Sequence, residues 1–373
     1  MKILHVTKKY PNALGGDTVV VSNLQRHQEA AGHHVAILTS NCAEIKNGPH
    51  IYKFGLLDTP EALDHITIKR LISLIALFFK AFSVLSRERP NVIHTHSIDM
   101  AFFVSFAARF YKIPLVHTFH IVTFYDEDQP ALRRKTEVLL AKLARPRVIT
   151  APNSYDVEKL NSTGLDQAVL LPNGVDLEFW RPDPTSKPAS AKNQPFTFVS
   201  VGRLESQKGY EYLVKAAALL ASSSKQAFRI IIVGEGGQKE YLQELVDTNE
   251  LQNVIAFAGR KTPKEVRSLL TQADAAIFAS LYETTPLTLL EAWAVGIPVI
   301  ITPVGILRDT RSDTIPTFLV EPKDEHSLLA AMQRCMTDKK TRAQVATKGH
   351  TEVHKYAWPD ITQTVEKLYG STL

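Results

Sequence analysis

Residues 275–301 constrain the fold of this chain more than any other stretch, and they read AAIFASLYETTPLTLLEAWAVGIPVII. The apolar runs Ala275–Ser280 and Val299–Ile301 are typical of short buried strands. Between them, helical periodicity predicts a helix over Leu287–Val295, which the Gly-Ile-Pro that follows would end. A strand, a helix and a second strand form a parallel βαβ unit, and ligands bind beyond the carboxyl ends of such strands.

The start of this predicted helix is suited to bind an anion. Thr285 is the expected N-cap, and Pro286 is the expected first helical residue, where a missing N–H costs nothing. The free N–H groups and the partial positive charge of a helix start attract phosphate. We therefore expect a phosphate group next to residues 285–288.

Two acidic residues flank the expected phosphate position. Glu283 stands just before the helix start, and Glu291 lies one to two turns inside the helix, about 9 Å along it. Carboxylates repel phosphate but accept hydrogen bonds from hydroxyl groups. This pattern favours a ligand with hydroxyls on either side of its phosphates, as in a sugar nucleotide. The alternative is a pair of solvated acids at an ordinary helix start.

Length and composition favour a globular enzyme. The 373 residues suffice for two domains of ordinary size, and 45% hydrophobic with 22% charged residues is typical of this class. Cys42 and Cys335 are too few and too far apart for a disulfide framework or a zinc site, which fits a reducing cytoplasm. The first ten residues lack the apolar core of a signal peptide and predict a first strand.

The net charge is +5, and basic residues gather in the first half of the chain. One interpretation is a face that meets an anionic membrane or a lipid-phosphate acceptor, and the alternative is ordinary solvated helix faces. The longest apolar run, Leu71–Leu85, is too short to span a bilayer and is broken by Lys80. We find no nucleic-acid-binding signature. The basic residues are Lys69, Arg70, Lys80, Arg87, Arg89, Arg133, Arg134, Lys135, Lys142, Arg145 and Arg147.

Both halves of the chain alternate strand patterns with helix patterns. This alternation predicts two Rossmann-like, doubly wound domains with parallel sheets that face each other across a cleft. We place the first domain at 1–176 and the second at 196–353. The segment 177–195 is rich in Pro, Ser and Lys and is expected to be a linker. Residues 354–373 are expected to form a helix that packs back on the first domain.

Three motifs in the first half have both a chemical and a plain structural interpretation. Gly15-Gly16 separates a strand from a helix, where the backbone could approach a ligand, but a simple tight turn is the alternative. His94-Thr95-His96 ends a strand, and its histidines could form local hydrogen bonds or hold a metal. Because the sequence shows no further ligands nearby, we predict no metal site. Asp126-Glu127-Asp128 is interpreted as a helix start.

Two basic residues follow the first strand of the second half. Arg203 and Lys208 both lie in the turn that follows this strand and ends at Gly209. Fixed cations at this place can neutralise a diphosphate, Arg through its planar fork and Lys as a point charge. The alternative is a surface pair without a role.

Together these motifs resemble the retaining GT-B glycosyltransferases of family four (glycosyl transferases group 1) over nearly the whole chain. Each motif is modest, but their order and spacing are specific. The resemblance rests on Gly15-Gly16, His94-Thr95-His96, His120, Pro172-Asn173-Gly174-Val175-Asp176, Val201-Gly202-Arg203-Leu204, Gln207-Lys208-Gly209, Gly234-Glu235-Gly236 and the pair Glu283 and Glu291.

The resemblance implies catalytic roles for four side chains. Arg203 and Lys208 would bind the donor diphosphate, and Glu283 and His120 would contact the transferred sugar. The first domain would bind the acceptor and the second the nucleotide sugar. The implied donor-binding residues are Gly16, Arg203, Lys208, Gly234, Arg260, Lys261, Glu283, Thr284, Thr285, Leu287, Thr288 and Glu291.

Some of these donor contacts have specific assignments. Glu291 would hold the ribose hydroxyls, the backbone around Arg260 and Lys261 would meet the base, and the amide of Gly16 would lie near the phosphates or the acceptor. The sequence departs from the family pattern at two places. Thr284 and Thr285 replace the usual glycine and aromatic residue, so the sugar pocket is expected to differ. The usual glycine pair appears as Gly305-Ile306, so the loop after the strand at 299–302 is expected to differ as well.

The implied reaction moves a hexose from a nucleoside diphosphate, UDP favoured and GDP second, to a hydroxyl acceptor with retention. The acceptor could be lipid-linked, a cell-envelope polysaccharide or a natural-product precursor. No carboxylate of the first domain stands out as a covalent nucleophile, which favours attack on the face that the diphosphate leaves. Neither metal nor cofactor is expected. The alternatives are a GT-B epimerase, a pyridoxal-phosphate-dependent phosphorylase and a non-catalytic nucleotide-sugar-binding protein.

Overall fold

The structure is a computed structural model that describes residues 1–8, 10, 16–40, 48–55, 68–122, 131–165, 168–182, 194–308 and 316–373. The chain divides into two compact units. Unit 1 comprises 1–173 and 358–373, and unit 2 comprises 174–357. Gly15, Cys42 and Asp126-Glu127-Asp128 lie outside the described residues.

The described part of unit 1 contains a seven-stranded parallel sheet in the order β3-β2-β1-β4-β5-β6-β7. Its strands are β1 Lys2–Thr7, β2 His34–Ser40, β3 Ile51–Phe54, β4 Val92–Thr95, β5 Leu115–Thr118, β6 Val148–Ala151 and β7 Ala168–Leu170. Its first five helices are α1 Gly16–Ala30, α2 Ile68–Glu88, α3 Ile98–Tyr111, α4 Ala131–Ala144 and α5 Ser154–Ser162.

Helices cover both faces of this sheet because its strands are apolar on both sides. On β1, Leu4 is buried in one core cluster with α2 and α3, whereas Ile3 is buried in another cluster with α1. The alternation of side chains along a strand thus sends neighbouring residues to opposite layers. The result is a three-layer α/β/α arrangement.

The described part of unit 2 repeats this architecture with a six-stranded parallel sheet in the order β10-β9-β8-β11-β12-β13. Its strands are β8 Phe196–Val201, β9 Phe228–Val233, β10 Ile255–Gly259, β11 Ala275–Phe278, β12 Val299–Ile301 and β13 Phe318–Leu319. Its helices are α6 Tyr210–Ser223, α7 Lys239–Thr248, α8 Pro263–Gln272, α9 Leu287–Val295, α10 Glu325–Thr337 and α11 Lys339–Glu352. The predicted fold class of two doubly wound parallel sheets is confirmed.

The last helix, α12 Trp358–Gly370, belongs to unit 1. Its residues Trp358, Ile361 and Val365 are buried in the same core cluster as the inner face of α1. The chain therefore crosses between the units twice, and its C-terminal segment completes one layer of unit 1.

The first residues of the predicted linker, 177–195, belong to unit 2. Phe179 and Trp180 pack into the core of unit 2, and Arg267 Nη1 donates to the Phe179 carbonyl at 2.8 Å. The Val175 amide donates to the Tyr356 carbonyl at 2.8 Å, so the two chain segments next to the unit boundaries are hydrogen-bonded to each other. The boundaries therefore fall after 173 and 357 rather than after 176 and 353. Residues 183–193 of the predicted linker lie outside the described residues.

Candidate functional site

Two loops of unit 2 meet where the strand order of its sheet reverses. Strands β8 and β11 are parallel neighbours, so the loops after their carboxyl ends are adjacent. The Leu281 amide donates to the Gln207 carbonyl at 2.7 Å. Gly209 has a φ of +65°, and a Cβ there would lie 2.0 Å from the Ala279 carbonyl oxygen. Only glycine allows this close approach, which fixes one loop against the other.

A cation and a carboxylate face each other in this corner. Lys208 Nζ forms an ion pair with Glu283 Oε1, and their side chains are only 18% and 14% exposed. Ser280 Oγ donates to the same carboxylate oxygen at 2.9 Å. The sequence predicted both residues as site residues, and the structure brings them into direct contact.

Helix α9 begins beside this pair and has the predicted bounds, Leu287–Val295, but its N-cap differs from the expected one. Pro286 has φ −69° and ψ 99°, so it is extended and occupies the N-cap position, with Leu287 as the first helical residue. The prediction of Thr285 as N-cap was therefore wrong, because a first helical residue needs a negative ψ. Thr285 is buried, whereas Thr284, Leu287 and Thr288 are half-buried. The Leu289 amide donates to the Pro286 carbonyl at 3.0 Å, whereas the Leu287 and Thr288 amides, the first two of the helix, have no acceptor within it and can meet a phosphate.

The loop in front of α9 is fixed from a third side. Gly305 has a φ of +61°, and a Cβ there would lie 2.4 Å from the Thr284 carbonyl oxygen. The loop after β12 thus packs directly on the loop before α9. The sequence suggested that this loop differs from that of the family, because Gly305-Ile306 replaces the usual glycine pair. Gly305 nevertheless makes a close backbone contact with Thr284.

Close backbone packing also joins the ends of β8, β9 and β10. Gly234 has a φ of +148°, and a Cβ there would lie 1.9 Å from the Gly202 carbonyl oxygen. The Gly234 amide donates to the Gly259 carbonyl at 2.9 Å, and the Gly202 amide donates to the Val233 carbonyl at 3.0 Å. Gly234 therefore sets the shape of the loop that was predicted to bind the donor.

The remaining predicted cations follow the carboxyl ends of β8 and β10. Arg203 is exposed and forms no ion pair with the residues that the structure describes. Arg260 is also exposed, directly after β10. Lys261 Nζ lies 3.6 Å from Glu265 Oε1 at the start of α8. The structure does not place the side chains of Arg260 and Lys261 against the ion pair of Lys208, and their predicted role through the backbone stays a prediction.

Glu291 lies on the second turn of α9 and is half-buried. Burial raises the pKa of its carboxyl to about 7. A carboxylate that is poorly solvated gains from a hydrogen-bond donor. This is the property expected of a residue that accepts hydroxyl groups of a ribose, a role that stays a prediction.

In unit 1, the predicted site residue His120 is the outer end of a chain of hydrogen bonds. Its Nε2 lies 3.0 Å from His96 Nδ1, and His96 Nε2 lies 2.9 Å from His5 Nδ1. His5 Nε2 lies 2.8 Å from Gln28 Oε1, and Gln28 is fully buried. Burial lowers the pKa of all three histidines, so each ring is neutral and carries one proton.

The orientation of Gln28 fixes where these protons lie. Its amide nitrogen donates to the Tyr369 hydroxyl at 3.4 Å, which leaves its oxygen to accept from His5 Nε2. A neutral His5 must then accept at Nδ1 from His96, and His96 must accept at Nδ1 from His120. In this assignment His120 donates through Nε2 and presents an unprotonated Nδ1. His120 can therefore accept a hydrogen bond from a hydroxyl group.

Two groups in the described parts of the chain have the composition of a metal site, each with its ligand atoms within 4.8 Å of one another: His5, His94 and His96, and His34, His50 and Glu88. Hydrogen bonds within the protein engage both groups. His34 Nε2 and His50 Nδ1 lie 2.9 Å and 3.1 Å from the Glu88 carboxylate oxygens. We assign a metal to neither group.

Comparison with known families supports a single assignment for both units. The family model for glycosyl transferases group 1 matches residues 183–351, and the model for glycosyltransferase family 4 matches residues 14–179. A glycogen synthase of Mycobacterium tuberculosis is 27% identical over an alignment of 403 positions, gaps included. This alignment covers 99% of this chain and 94% of the relative. The chain belongs to the group 1 glycosyltransferases.

Solved structures show that its fold is GT-B. Sucrose-phosphate synthase from Thermosynechococcus elongatus has a TM-score of 0.84 at 22% identity, over 100% of this chain and 99% of that chain. Anabaena HepE in complex with UDP-glucose has a TM-score of 0.77 at 17% identity, over 100% of both chains. The expected family, fold and enzyme class are thus confirmed.

Sequence reasoning missed the interior of the histidine chain in this glycosyltransferase. It singled out His94, His96 and His120 but neither His5 nor Gln28. The alternation along β1 could have indicated His5, because it pairs with His94 on the neighbouring strand. Gln28 gave no signal, since a polar residue on an amphipathic helix is usually taken as exposed. Gly16, the first residue of α1, is exposed, as a helix start that meets a ligand must be.

Proposed function

We propose that this glycosyltransferase moves a hexose from a nucleoside diphosphate, with UDP favoured over GDP, to a hydroxyl acceptor with retention of configuration. The observation that carries the proposal is the contact between Lys208 and Glu283 beside the start of α9. A cation, a carboxylate and free helix amides in one corner match the phosphates and the hydroxyls of a nucleotide sugar. The complex of the structural neighbour HepE with UDP-glucose supports the choice of donor.

When the donor binds, its diphosphate replaces Glu283 as the partner of Lys208. Lys208 Nζ leaves the carboxylate and binds a phosphate oxygen, and the exposed Arg203 binds the same diphosphate from solvent. The released Glu283 carboxylate then accepts a hydrogen bond from a sugar hydroxyl. Because an ion pair with 14–18% exposed side chains is only partly desolvated, a doubly charged ligand can replace the carboxylate.

The bond between the anomeric carbon and the phosphate oxygen breaks as the acceptor oxygen bonds to the same carbon from the same face. The acceptor proton passes to the departing phosphate oxygen, so no protein base is needed. Lys208, Arg203 and the helix start stabilise the charge that develops on the leaving group. These residues supply the positive charge, and we propose that the reaction needs neither a metal nor an organic cofactor.

The sugar is held from unit 1 by His120. A neutral imidazole with a free Nδ1 accepts a sugar hydroxyl without bringing a second positive charge to the reacting carbon. Glu291 holds the ribose hydroxyls, and the backbone after β10 meets the base. The acceptor is a hydroxyl compound of the cytoplasm or of its membrane surface.

A thermal-shift panel of UDP, GDP, ADP and their glucose conjugates tests the donor assignment. UDP compounds should raise the melting temperature most, since a ligand at 100 times its Kd adds about 2.7 kcal/mol to the free energy of unfolding. Equal shifts for all nucleotides would contradict the preference for UDP. Lys208→Ala should reduce this response to UDP, and Lys215→Ala, whose lysine forms an exposed ion pair on α6, is the control and should keep it.

The stereochemistry and the class of reaction need a separate measurement. Incubation of the enzyme with UDP-α-glucose and a panel of hydroxyl acceptors should give an α-linked product by proton NMR. A β-linked product would rule out retention. Conversion of the donor to another sugar nucleotide in the absence of any acceptor would instead identify an epimerase.

A further inference from the structure

Helix α2 of unit 1 exposes a second apolar face in addition to the one that it buries. Leu74, Leu77 and Leu85 are buried against the sheet. On the outer side, the exposed fractions are 80% for Ile68 and 66% for Phe79. The exposed apolar residues Ile68, Leu71, Ile72, Ile75 and Phe79 recur at helical spacing and so form one stripe.

The neighbouring helices extend this stripe into a patch. Phe78 of α2 contacts Phe106 of α3 with 5.7 Å between ring centroids, and Phe82 contacts Phe110 at the same distance. Phe110 is itself 70% exposed. On the next helix, Leu139 and Leu143 of α4 are exposed as well. We call this surface of α2, α3 and α4 the apolar patch. Single exposed apolar residues are common, but a continuous patch marks an interaction surface.

The exposed charges of α2 and α3 around the apolar patch have one sign. Residues 68–112 contain seven lysines and arginines and two acids, Glu88 and Asp99, and both acids are buried. Asp99 is also paired with Arg70 at 2.8 Å. Exposed cations therefore border exposed apolar side chains without an exposed acid between them. On α4, the exposed Lys135 and Lys142 continue this border, and the acid between them, Glu137, is half-buried.

We propose that the apolar patch docks unit 1 on an anionic lipid membrane. The apolar stripe of α2 enters the boundary between headgroups and acyl chains, and the lysines and arginines around it bind lipid phosphates. Among the described residues, no helix is long and apolar enough to cross a membrane. The enzyme therefore lies on the membrane surface. The proposal rests on this surface alone and does not depend on the identity of the donor.

A second copy of the chain is a poorer occupant of the apolar patch. A two-fold contact brings the same surface of both copies together. The exposed lysines and arginines of one copy would face those of the other, and like charges at close range destabilise a contact. An anionic lipid surface instead supplies the opposite charge to every cation on the border.

Co-sedimentation with vesicles tests the proposal on the full-length enzyme. Vesicles of phosphatidylcholine containing phosphatidylglycerol should bind it, and vesicles of pure phosphatidylcholine should bind at least tenfold less. Binding to the anionic vesicles should fall between about 0.1 M and about 0.5 M salt, because salt screens exposed charges. Equal sedimentation with both kinds of vesicle, or no sedimentation with either, would overturn the proposal.

Two matched pairs of variants separate the apolar and the charged contributions. The double variant Ile75→Gln with Phe79→Gln should lose binding at both salt concentrations, whereas Tyr241→Gln on α7, which removes an exposed aromatic residue of unit 2, should not. The double variant Lys80→Glu with Lys112→Glu should bind at least about 25-fold more weakly, about fivefold for each cation lost before any repulsion of the new carboxylates, and show a smaller salt dependence. The control, Lys340→Glu with Lys348→Glu on α11, should bind normally.

Thermal shifts with UDP keep this test independent of the proposed function. The patch variants should keep the UDP response of the parent enzyme, since no donor-site residue is changed. If the enzyme binds vesicles but no nucleotide, the donor assignment fails and the membrane surface stands. If the parent forms dimers that the variants at Ile75 and Phe79 abolish, while vesicle binding is absent, the apolar patch is a subunit interface and the proposal is wrong.

Discussion

In unit 1, His120 is oriented by neutral hydrogen bonds that run inward to Gln28, whereas in unit 2 Lys208 is held by the charge of Glu283. His96 and His120 follow the carboxyl ends of β4 and β5, and Lys208 and Glu283 follow those of β8 and β11. The first contains no charged group along the chain from His120 to Gln28. The second joins a full positive charge to a full negative charge.

The difference indicates how each unit can respond to a ligand. A phosphate competes directly for Lys208, so the ion pair can rearrange when a donor binds. The chain from His120 has no charge to exchange, and its ring nitrogens stay assigned as long as Gln28 keeps its orientation. Unit 2 is therefore suited to bind and release a charged group, and unit 1 to present a fixed acceptor to an uncharged one.

Gly234→Ala should have the largest effect and should disable unit 2 alone. The new Cβ would lie 1.9 Å from the Gly202 carbonyl oxygen, and no rotation of a methyl group relieves a clash with backbone. We expect a loss of about 4 kcal/mol in the free energy of unfolding, measured by urea denaturation, and loss of the UDP response.

Gly237→Ala is the matched control, because a Cβ there meets nothing within 4 Å. It should keep both the stability and the UDP response of the parent. Similar losses in the two variants would mean that the loop after β9 tolerates no substitution, and the argument from backbone contact would fail.

Lys208→Ala should break the charged arrangement and leave the neutral one intact. Turnover at saturating donor should fall by a factor that corresponds to about 3 kcal/mol, the usual effect of losing one group that stabilises a leaving oxygen. Steady-state kinetics with the variant and with Lys215→Ala measure this effect. An unchanged turnover number would remove Lys208 from the diphosphate.

Gln28→Met should break the neutral arrangement and leave nucleotide binding intact. The change removes the acceptor of His5 Nε2 in a fully buried site, at a cost of about 2 kcal/mol in stability. Turnover should fall because His120 no longer presents only an unprotonated Nδ1, while the Kd for UDP stays the same. Gln25→Met on the same helix is the control. A weaker affinity for UDP would show that the two arrangements are coupled.

The sequence was sufficient for features that depend on neighbouring residues. The alternation of strands and helices predicted both sheets, and the position of Lys208 and Glu283 after strand ends predicted that they belong to one site. The bounds of α9 were predicted correctly, but its N-cap was wrong by one residue, because a Thr-Pro pair is compatible with either residue as N-cap and only the ψ of Pro286 decides between them.

Features that depend on register or on distant contacts could not be read from the sequence. Gln28 and Tyr369 are separated by 341 positions, and their contact requires that α1 and α12 share one face of the sheet. The unit boundaries depend in the same way on the bond from Val175 to Tyr356. Neither pair has a local pattern that distinguishes it from other polar or apolar residues.

Glu291→Gln should have the smallest effect, and its sign should depend on pH. Burial raises the pKa of this carboxyl from 4.5 to about 7, so between these pH values the folded protein keeps a proton that the unfolded chain loses. The stability of the parent therefore falls as pH rises through this window, and the full penalty is present above pH 7. Glutamine does not ionise and escapes this penalty.

At a pH above the pKa of the Glu291 carboxyl, the Glu291→Gln variant should melt about 2–4 °C higher than the parent. This difference corresponds to roughly 1 kcal/mol in the free energy of unfolding for a domain of this size. Below pH 4.5 the difference should vanish, since both side chains are then neutral. The same variant should bind UDP more weakly at high pH, because an amide is a poorer acceptor for ribose hydroxyls than a carboxylate. Glu244→Gln, an exposed change on α7, is the control and should alter neither quantity. A stability difference that does not change with pH would mean that Glu291 titrates normally, and unaltered UDP affinity would remove it from the ribose.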